Sequence, residues 1–145
     1  MSATVRATTP ELAAELRPAL LRLTRLIRIQ RVDVSVTLTQ LSAMSILDSR
    51  GPMSAGELAA YERVQPPSMT KVLANLEERR LVERSVHPND KRQAIIALTG
   101  AGRELVASER RSRDAWLARQ LSELSLEDRM LLEKVIPLLN RLAEI

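Results

Sequence analysis

A helix followed by a hairpin, between positions 65 and 98, constrains the fold of this chain more than any other stretch. Gln65 stands where a helix cap belongs, and Pro66 and Pro67 follow in the first turn, where a missing N–H costs nothing. Apolar residues then recur at the spacing of one buried helical face, at Met69, Val72, Leu73 and Leu76. The opposite face is polar. We therefore predict a helix that buries one side and presents the other.

Two runs rich in branched residues, 81–86 and 93–98, follow this helix and predict a pair of strands. Turn-forming residues separate the two runs, at His87, Pro88, Asn89 and Asp90. Lys91 and Arg92 complete the tip of the hairpin. A polar-faced helix that leads into a basic two-stranded loop is typical of a winged helix-turn-helix, in which the hairpin is called the wing.

The residues before this helix complete the motif. Ser54 and Glu57 have the spacing of a capping box and predict a short helix from Ala55 to about Glu62. A turn at 63–65 connects it to the next helix. Two short helices joined in this way form a helix-turn-helix, whose second helix can lie in the major groove of DNA.

Hydrophobic periodicity and capping signals predict four longer helices, at 9–31, at 39–49, at 99–123 and from 125 onward. Thr9 and Thr39 are the expected caps of the first two. Pro18 and Pro137 should kink or divide the helices that contain them. Residues 109–114 read ERRSRD, and we expect this charged segment to lie outside the core.

Composition limits the function classes. A chain of 145 residues favours one domain with a modest core. It has no Phe, one Trp and one Tyr, which argues against single-strand or RNA recognition, because those depend on aromatic stacking. The absence of cysteine excludes disulfides, thiolate metal sites and thiol redox sensing. No apolar run approaches the roughly 20 residues of a membrane span, so we expect a cytoplasmic protein with no membrane partner.

Positive charge is concentrated around the helix and hairpin. Residues 63–92 contain seven basic and four acidic side chains, so most of the net charge of +4 lies on this segment. A basic surface permits binding to a polyanion, and its localisation matters more than the total.

The order of these elements resembles the MarR family of winged helix-turn-helix transcriptional regulators, from about Leu12 to the C-terminus. The strongest matches are LTQLSAMSIL (38–47), SAGELAA (54–60), SMTKVLANLEERRLVER (68–84), the wing PNDKR (88–92) and LTGAGREL (98–105). The Asp90-x-Arg92 pair, followed by a strand and then LTxxG, is the most specific element. One departure is Arg80, where the family often has glycine.

The resemblance implies a mostly α fold with a small β-hairpin wing, and a homodimer joined through its terminal helices. The chain then divides into a flexible tail (1–8), an N-terminal dimerisation helix (9–32), a DNA-binding lobe (33–98) and C-terminal dimerisation helices (99–145). Such a dimer binds a pseudo-palindromic operator in double-stranded DNA as a repressor, with no cofactor. Members of this kind are released by small aromatic or hydrophobic effectors.

Candidate DNA-binding residues follow from this interpretation. The polar face of the second helix of the motif and its start carry Gln65, Ser68, Thr70, Lys71 and Asn75. Lys71 could read guanine, Asn75 adenine, and Thr70 a thymine methyl group or a phosphate. Ser54 and its helix start could bind a backbone phosphate, and Lys91 and Arg92 could follow the backbone, with Arg92 in the minor groove. Asp90 should orient Arg92.

Arg22, Arg25 and Trp116 are candidates to line an effector pocket. A winged helix can also serve only protein–protein contact, and this alternative stays open. A lone histidine, His87, scattered carboxylates and no glycine-rich phosphate loop indicate that the chain is neither an enzyme nor a metal-binding protein.

Overall fold

The structure, a computed structural model, describes residues 8–144. In chain order its helices are α1 (Thr9–Arg28), α2 (Leu38–Arg50), α3 (Ala55–Glu62), α4 (Pro66–Glu78), α5 (Gly100–Ser122) and α6 (Leu126–Ala143). Its strands are β1 (Met53–Ser54), β2 (Val82–Val86) and β3 (Ala94–Leu98). The mostly α fold with a hairpin wing is therefore confirmed. Residues 1–7 of the predicted flexible tail (1–8) lie outside the described residues.

The chain divides into two compact units. The terminal unit takes in the described residues up to Gln30 and those from Ser112 onward, and the central unit spans Arg31–Arg111. The central unit holds α2, α3, α4, the three strands and the first half of α5.

Capping boxes begin the first two helices, at residues that the sequence analysis did not choose. The Thr8 hydroxyl caps α1 and the Thr37 hydroxyl caps α2, reciprocated by the side chains of Glu11 and Gln40. The predicted caps Thr9 and Thr39 are wrong, because neither has a Glu or Gln three residues later to complete the box. Thr8 consequently belongs to the start of α1 and not to the tail.

Both prolines lie inside continuous helices. Pro18 and Pro137 are internal to α1 and α6, so neither residue divides its helix. α1 ends at Arg28, short of the predicted end near Arg31.

The sheet has one strand more than the predicted hairpin. β2 and β3 pair antiparallel with Val82 opposite Leu98, and β1 pairs with the other edge of β3, with Met53 opposite Ile96. A two-residue strand is too short to show a period of two, so hydrophobic alternation could not reveal it. β1 leads directly into the cap of α3, and it therefore ties the start of that helix to the wing.

The core of the central unit lies under α4. Met69, Leu73 and Leu76 of α4 are fully buried, as the periodicity predicted, whereas Val72 is only partly buried. They pack in a cluster with buried residues of α2, α3, the sheet and α5, among them Met44, Leu58, Ile96 and Val106. The outer face of α4 is consequently the face that remains exposed.

One charged residue of the ERRSRD segment contradicts the expectation that this segment avoids the core. Glu109 is 1% exposed. Its carboxylate accepts the backbone N–H groups of Val32 and Asp33 at 3.2 and 3.0 Å, and Arg31 lies 3.4 Å away. These partners are more than seventy positions distant in sequence, so local charge pattern gave no sign of them.

Candidate nucleic-acid interface

The start of α3 is held by a complete capping box. The Ser54 hydroxyl accepts the N–H of Glu57 at 3.2 Å, and the Glu57 carboxylate accepts the N–H of Ser54 at 3.0 Å. Ser54 is itself buried. Its hydroxyl therefore organises the helix end, and the positive end of the helix dipole is what this segment offers to an anion.

The exposed face of α4 carries the predicted recognition residues. Gln65 is the N-cap, as predicted from its position, but its side chain makes no capping hydrogen bond and is exposed. Ser68, Thr70 and Lys71 are also exposed. The Thr70 hydroxyl donates to the carbonyl oxygen of Pro66 at 3.0 Å, which directs its hydrogen toward the helix. Within the described chain, Lys71 forms no ion pair, so its full charge faces outward.

Asn75 lies one turn beyond Lys71 and is exposed, yet it is not free. Its Oδ1 atom accepts a hydrogen bond of 2.9 Å from the side-chain amide of Gln40, at the start of α2. Gln40 was not among the predicted site residues, because it lies 35 positions from Asn75 in the sequence. The T-x-x-Q spacing of its capping box was the one signal that could have pointed to it.

The wing turn is organised by two side chains. The imidazole Nδ1 of His87 accepts the N–H groups of Asn89 and Asp90 at 3.0 and 3.1 Å. Asp90 Oδ1 accepts the N–H and the Nε–H of Arg92 at 3.0 and 3.1 Å. Despite this contact the Arg92 side chain is 92% exposed, and Lys91 is exposed beside it. Both cations thus project from the tip.

The hydrogen bonds from Arg92, first from its side chain and then from its backbone, lower the pKa of Asp90 below the ordinary value. The carboxylate therefore stays ionised at neutral pH. Because the folded-state pKa is depressed, its contribution to wing geometry is present at neutral pH and is lost only as the pH falls through that lowered value.

An open groove of about 660 Å³ separates the start of α3 from the wing. Its lining includes Ser54 and Gly56 on one side and Arg84, Arg92 and Gln93 on the other. Arg84 and Gln93 were not among the predicted site residues. Arg84 also pairs with Glu77 at 3.3 Å, across a partly exposed surface.

Comparison with known proteins identifies the family. The MarR family model matches residues 36–94, which include α2, α3, α4 and the wing. An HTH-type transcriptional regulator of Mycobacterium tuberculosis is 41% identical over 133 residues, covering 92% of this chain and 93% of the relative. The HTH-type transcriptional repressor NicR of Pseudomonas putida is 34% identical over 113 residues, covering 77% and 67%. A crystal structure of a putative transcriptional regulator from Pseudomonas aeruginosa is 32% identical, covers 92% and 94%, and superposes with a TM-score of 0.82.

This chain belongs to the MarR family. It is a winged helix-turn-helix, DNA-binding transcriptional regulator, as the sequence resemblance predicted. In this winged helix-turn-helix fold, α3 and α4 form the helix-turn-helix, in which α4 is the predicted recognition helix, and the β2–β3 hairpin is the wing.

The residues predicted to line an effector pocket all lie in the terminal unit of this MarR-family chain. Arg22 and Arg25 are exposed on α1, and Trp116 is partly buried on α5. Across residues 8–144, no three His, Cys, Asp or Glu side chains come together as a metal site. None of the helices in that range is both long and apolar enough to cross a membrane.

Proposed function

We propose that this regulator acts as a homodimeric repressor that binds a pseudo-palindromic operator, with α4 in the major groove and the wing along the backbone. The observation that carries the proposal is the exposed Lys71 on the outer face of α4, together with the exposed cations at the wing tip. A helix with one buried and one polar face is suited to the major groove, and cations on a hairpin are suited to the phosphates beside it. The relative NicR is named a repressor, which supports the sign of regulation.

The side chains divide into base readers and backbone contacts. Lys71 reads guanine, and the Thr70 methyl group contacts thymine, since its hydroxyl already donates to the Pro66 carbonyl. Ser68 is the third base-edge candidate on α4. Gln65 has a free side-chain amide at the helix start, where a phosphate or a base lies within reach.

Contacts to the backbone come from α3 and the wing. The helix start capped by Ser54 holds a phosphate, and Lys91 follows the phosphates beside the wing. Asp90 holds Arg92 for insertion into the minor groove, where a narrow A·T tract attracts a guanidinium.

Dimerisation through the terminal unit accounts for the apolar surface of α1 and α6. Neither helix, both described in full, contains a buried residue. Their exposed large hydrophobic side chains are Leu12, Leu20, Leu21, Leu23, Leu26, Leu126, Met130, Leu131, Leu132, Ile136, Leu138 and Leu142. A single chain that left this much apolar surface in water would forfeit roughly 25 cal/mol for each Å² that a second copy could cover. Two-fold symmetry then sets half-sites about 34–36 Å apart.

A small aromatic or hydrophobic effector is the proposed release signal. Arg22 and Arg25 supply cations for an acid group, and Trp116 supplies an aromatic face. DNA affinity measured with and without each of a panel of aromatic acids tests this part of the proposal, because an effector should lower that affinity.

We also propose that the protein lies in the cytoplasm, where it would meet chromosomal DNA.

The main experiment selects bound duplexes from random DNA and then measures affinity over a salt series. Lys71→Ala should cost about 1–3 kcal/mol and relax base preference at one position of each half-site. Arg92→Ala should weaken binding to all sequences and reduce the salt slope by about 1. Lys134→Ala on α6 removes the same charge outside the proposed DNA interface; in protein that light scattering shows to be as dimeric as wild type, it should leave both quantities unchanged.

Equal and sequence-independent losses for Lys71→Ala and Arg92→Ala would refute this division of labour. If neither substitution changed affinity or the salt slope, the winged helix would instead serve protein–protein contact, and the proposed function would fail.

A further inference from the structure

Gln40 fixes the orientation of the Asn75 amide, and the hydrogen bonds around it leave no ambiguity about which atoms are which. Gln40 is 7% exposed and is therefore held among protein groups. One end of its amide lies 2.9 Å from the backbone nitrogen of Thr37. A backbone N–H can only donate, so the atom it meets must be the Gln40 oxygen, Oε1. The other end, Nε2, is a donor.

The orientation of the Gln40 amide in turn sets that of the Asn75 amide on α4. Because Nε2 can only donate, the Asn75 atom that lies 2.9 Å from it must be the acceptor Oδ1. The remaining end of the Asn75 amide is Nδ2, which carries two N–H donors. No other described side chain forms a hydrogen bond with Asn75, and the residue is exposed. The donor end is thus the end available to a ligand outside the protein.

From this geometry we propose that Gln40 is a positioning residue for sequence specificity, which makes Asn75 present its two N–H donors to guanine in the major groove. The inference rests on the proposed placement of α4 in that groove. Guanine presents two neighbouring acceptors there, N7 and O6, whereas cytosine presents only a donor. Reading adenine with both amide ends, as the sequence alone suggested, would also require Oδ1 to accept from N6. Oδ1 already accepts from Gln40, which turns this oxygen toward the start of α2 and occupies one of its two lone pairs, whereas both Nδ2 hydrogens remain free.

The substitution Gln40→Glu tests the mechanism, because it changes one donor into an acceptor at nearly constant shape. The carboxylate can still accept the Thr37 N–H and complete the capping box, since Glu and Gln both serve there. Its second oxygen can only accept, so the Asn75 amide has to rotate, donate through Nδ2 to the carboxylate and present Oδ1 outward. Base preference at that position should then move from guanine to bases that present a donor, cytosine or adenine.

The experiment compares base preferences of the full-length protein and its variants by selection from random duplexes. Besides the guanine read by Lys71, wild type should prefer guanine at a second position of each half-site by roughly ten-fold, the scale of one good base contact. Asn75→Ala should abolish that preference, and Gln40→Glu should replace it with cytosine or adenine, while preferences at all other positions persist. Gln120→Glu makes the same chemical change at an exposed position of α5; in protein that light scattering shows to be as dimeric as wild type, it should leave the whole profile unaltered.

Asn75→Asp provides a second test that does not depend on how the start of α2 tolerates a new charge. Gln40 can still donate to one carboxylate oxygen, and the other oxygen then faces outward as an acceptor. Because Asn75 is exposed, the substitution should be tolerated, and it should also shift the base preference to cytosine. Thermal unfolding of each variant checks that the protein is folded.

A guanine preference that survives Gln40→Glu or Asn75→Asp at the position read by Asn75, in folded protein, would overturn the inference, as would a profile that Asn75→Ala leaves unchanged. In either case the other positions would still show selection, so the proposed function would stand. Wild-type protein that selected no sequence would instead refute the proposed function and this inference with it.

Discussion

Removing the buried carboxylate of Glu109 should destabilise the central unit more than any surface substitution. Glu109 is 1% exposed and accepts two backbone N–H groups from the segment that joins α1 to α2. The side chain of Arg31, 10% exposed, lies 3.4 Å from its other oxygen. Glu109→Ala would therefore leave two buried amides without their acceptor and the Arg31 guanidinium without its counter-ion, although that guanidinium keeps its hydrogen bonds to the Asp33 and Val36 carbonyl oxygens.

The size of the loss in stability follows from the groups that Glu109→Ala leaves without a partner. Removing one partner of a buried ion pair costs about 3–5 kcal/mol, and most of this cost is the stranded charge. The Arg31 Nε and Glu109 Oε2 atoms form no hydrogen bond with each other or with any other described group. Part of the loss in stability should therefore come from the two backbone amides that Glu109 accepts. Glu109→Gln retains one acceptor oxygen for them. It should cost less, about 1–3 kcal/mol.

Urea unfolding followed by circular dichroism measures these losses, at one fixed protein concentration because dimerisation would couple to folding. The double variant Arg31→Met/Glu109→Met provides the control. It removes both charges, so its loss of stability should be smaller than the sum of the losses measured for Arg31→Met and for Glu109→Met. A loss below about 1 kcal/mol for Glu109→Ala would refute the reasoning, since the stranded Arg31 would then have found another partner.

Two backbone positions give further expectations, each with a matched control. A Cβ atom at Gly102 would lie 2.1 Å from the carbonyl oxygen of Leu81, so Gly102→Ala should cost about 1–3 kcal/mol or more. Gly100→Ala, where a Cβ meets nothing within 4 Å, should be neutral or slightly stabilising in thermal unfolding, and equal losses at the two glycines would contradict the close approach. Arg80 has φ +57°, so Arg80→Gly should relieve strain and be neutral or stabilise by up to about 1 kcal/mol. Arg79→Gly, at φ −79° and with loss of the ion pair to Asp33, should destabilise, and a stabilising result there would show that φ is not the cause.

Local signals predicted most of the elements of this chain. The Ser54–Glu57 capping box and the two prolines after Gln65 gave the starts of α3 and α4, because each signal acts within four residues. The departure from glycine at Arg80 also coincides with a left-handed backbone, which is why glycine suits that position.

What the sequence concealed depends on contacts between distant residues. Glu109 looked like part of a solvated charge run, and only the amides of Val32 and Asp33 explain its burial. Likewise, the bond from Gln40 to Asn75 changes which amide end the recognition helix offers, although each residue alone resembles an ordinary polar side chain. Periodicity reports which face of an element is buried, and it carries no information about which polar groups meet across the core.

Binding of the purified protein to a selected duplex, measured as affinity and stoichiometry over a salt series, tests the central claim most directly. Two chains should bind each pseudo-palindromic duplex, with a dissociation constant of about 10⁻⁸–10⁻¹¹ M near physiological salt and far weaker binding to unrelated DNA. A monomer that showed no preference for any duplex, even at low ionic strength, would contradict it.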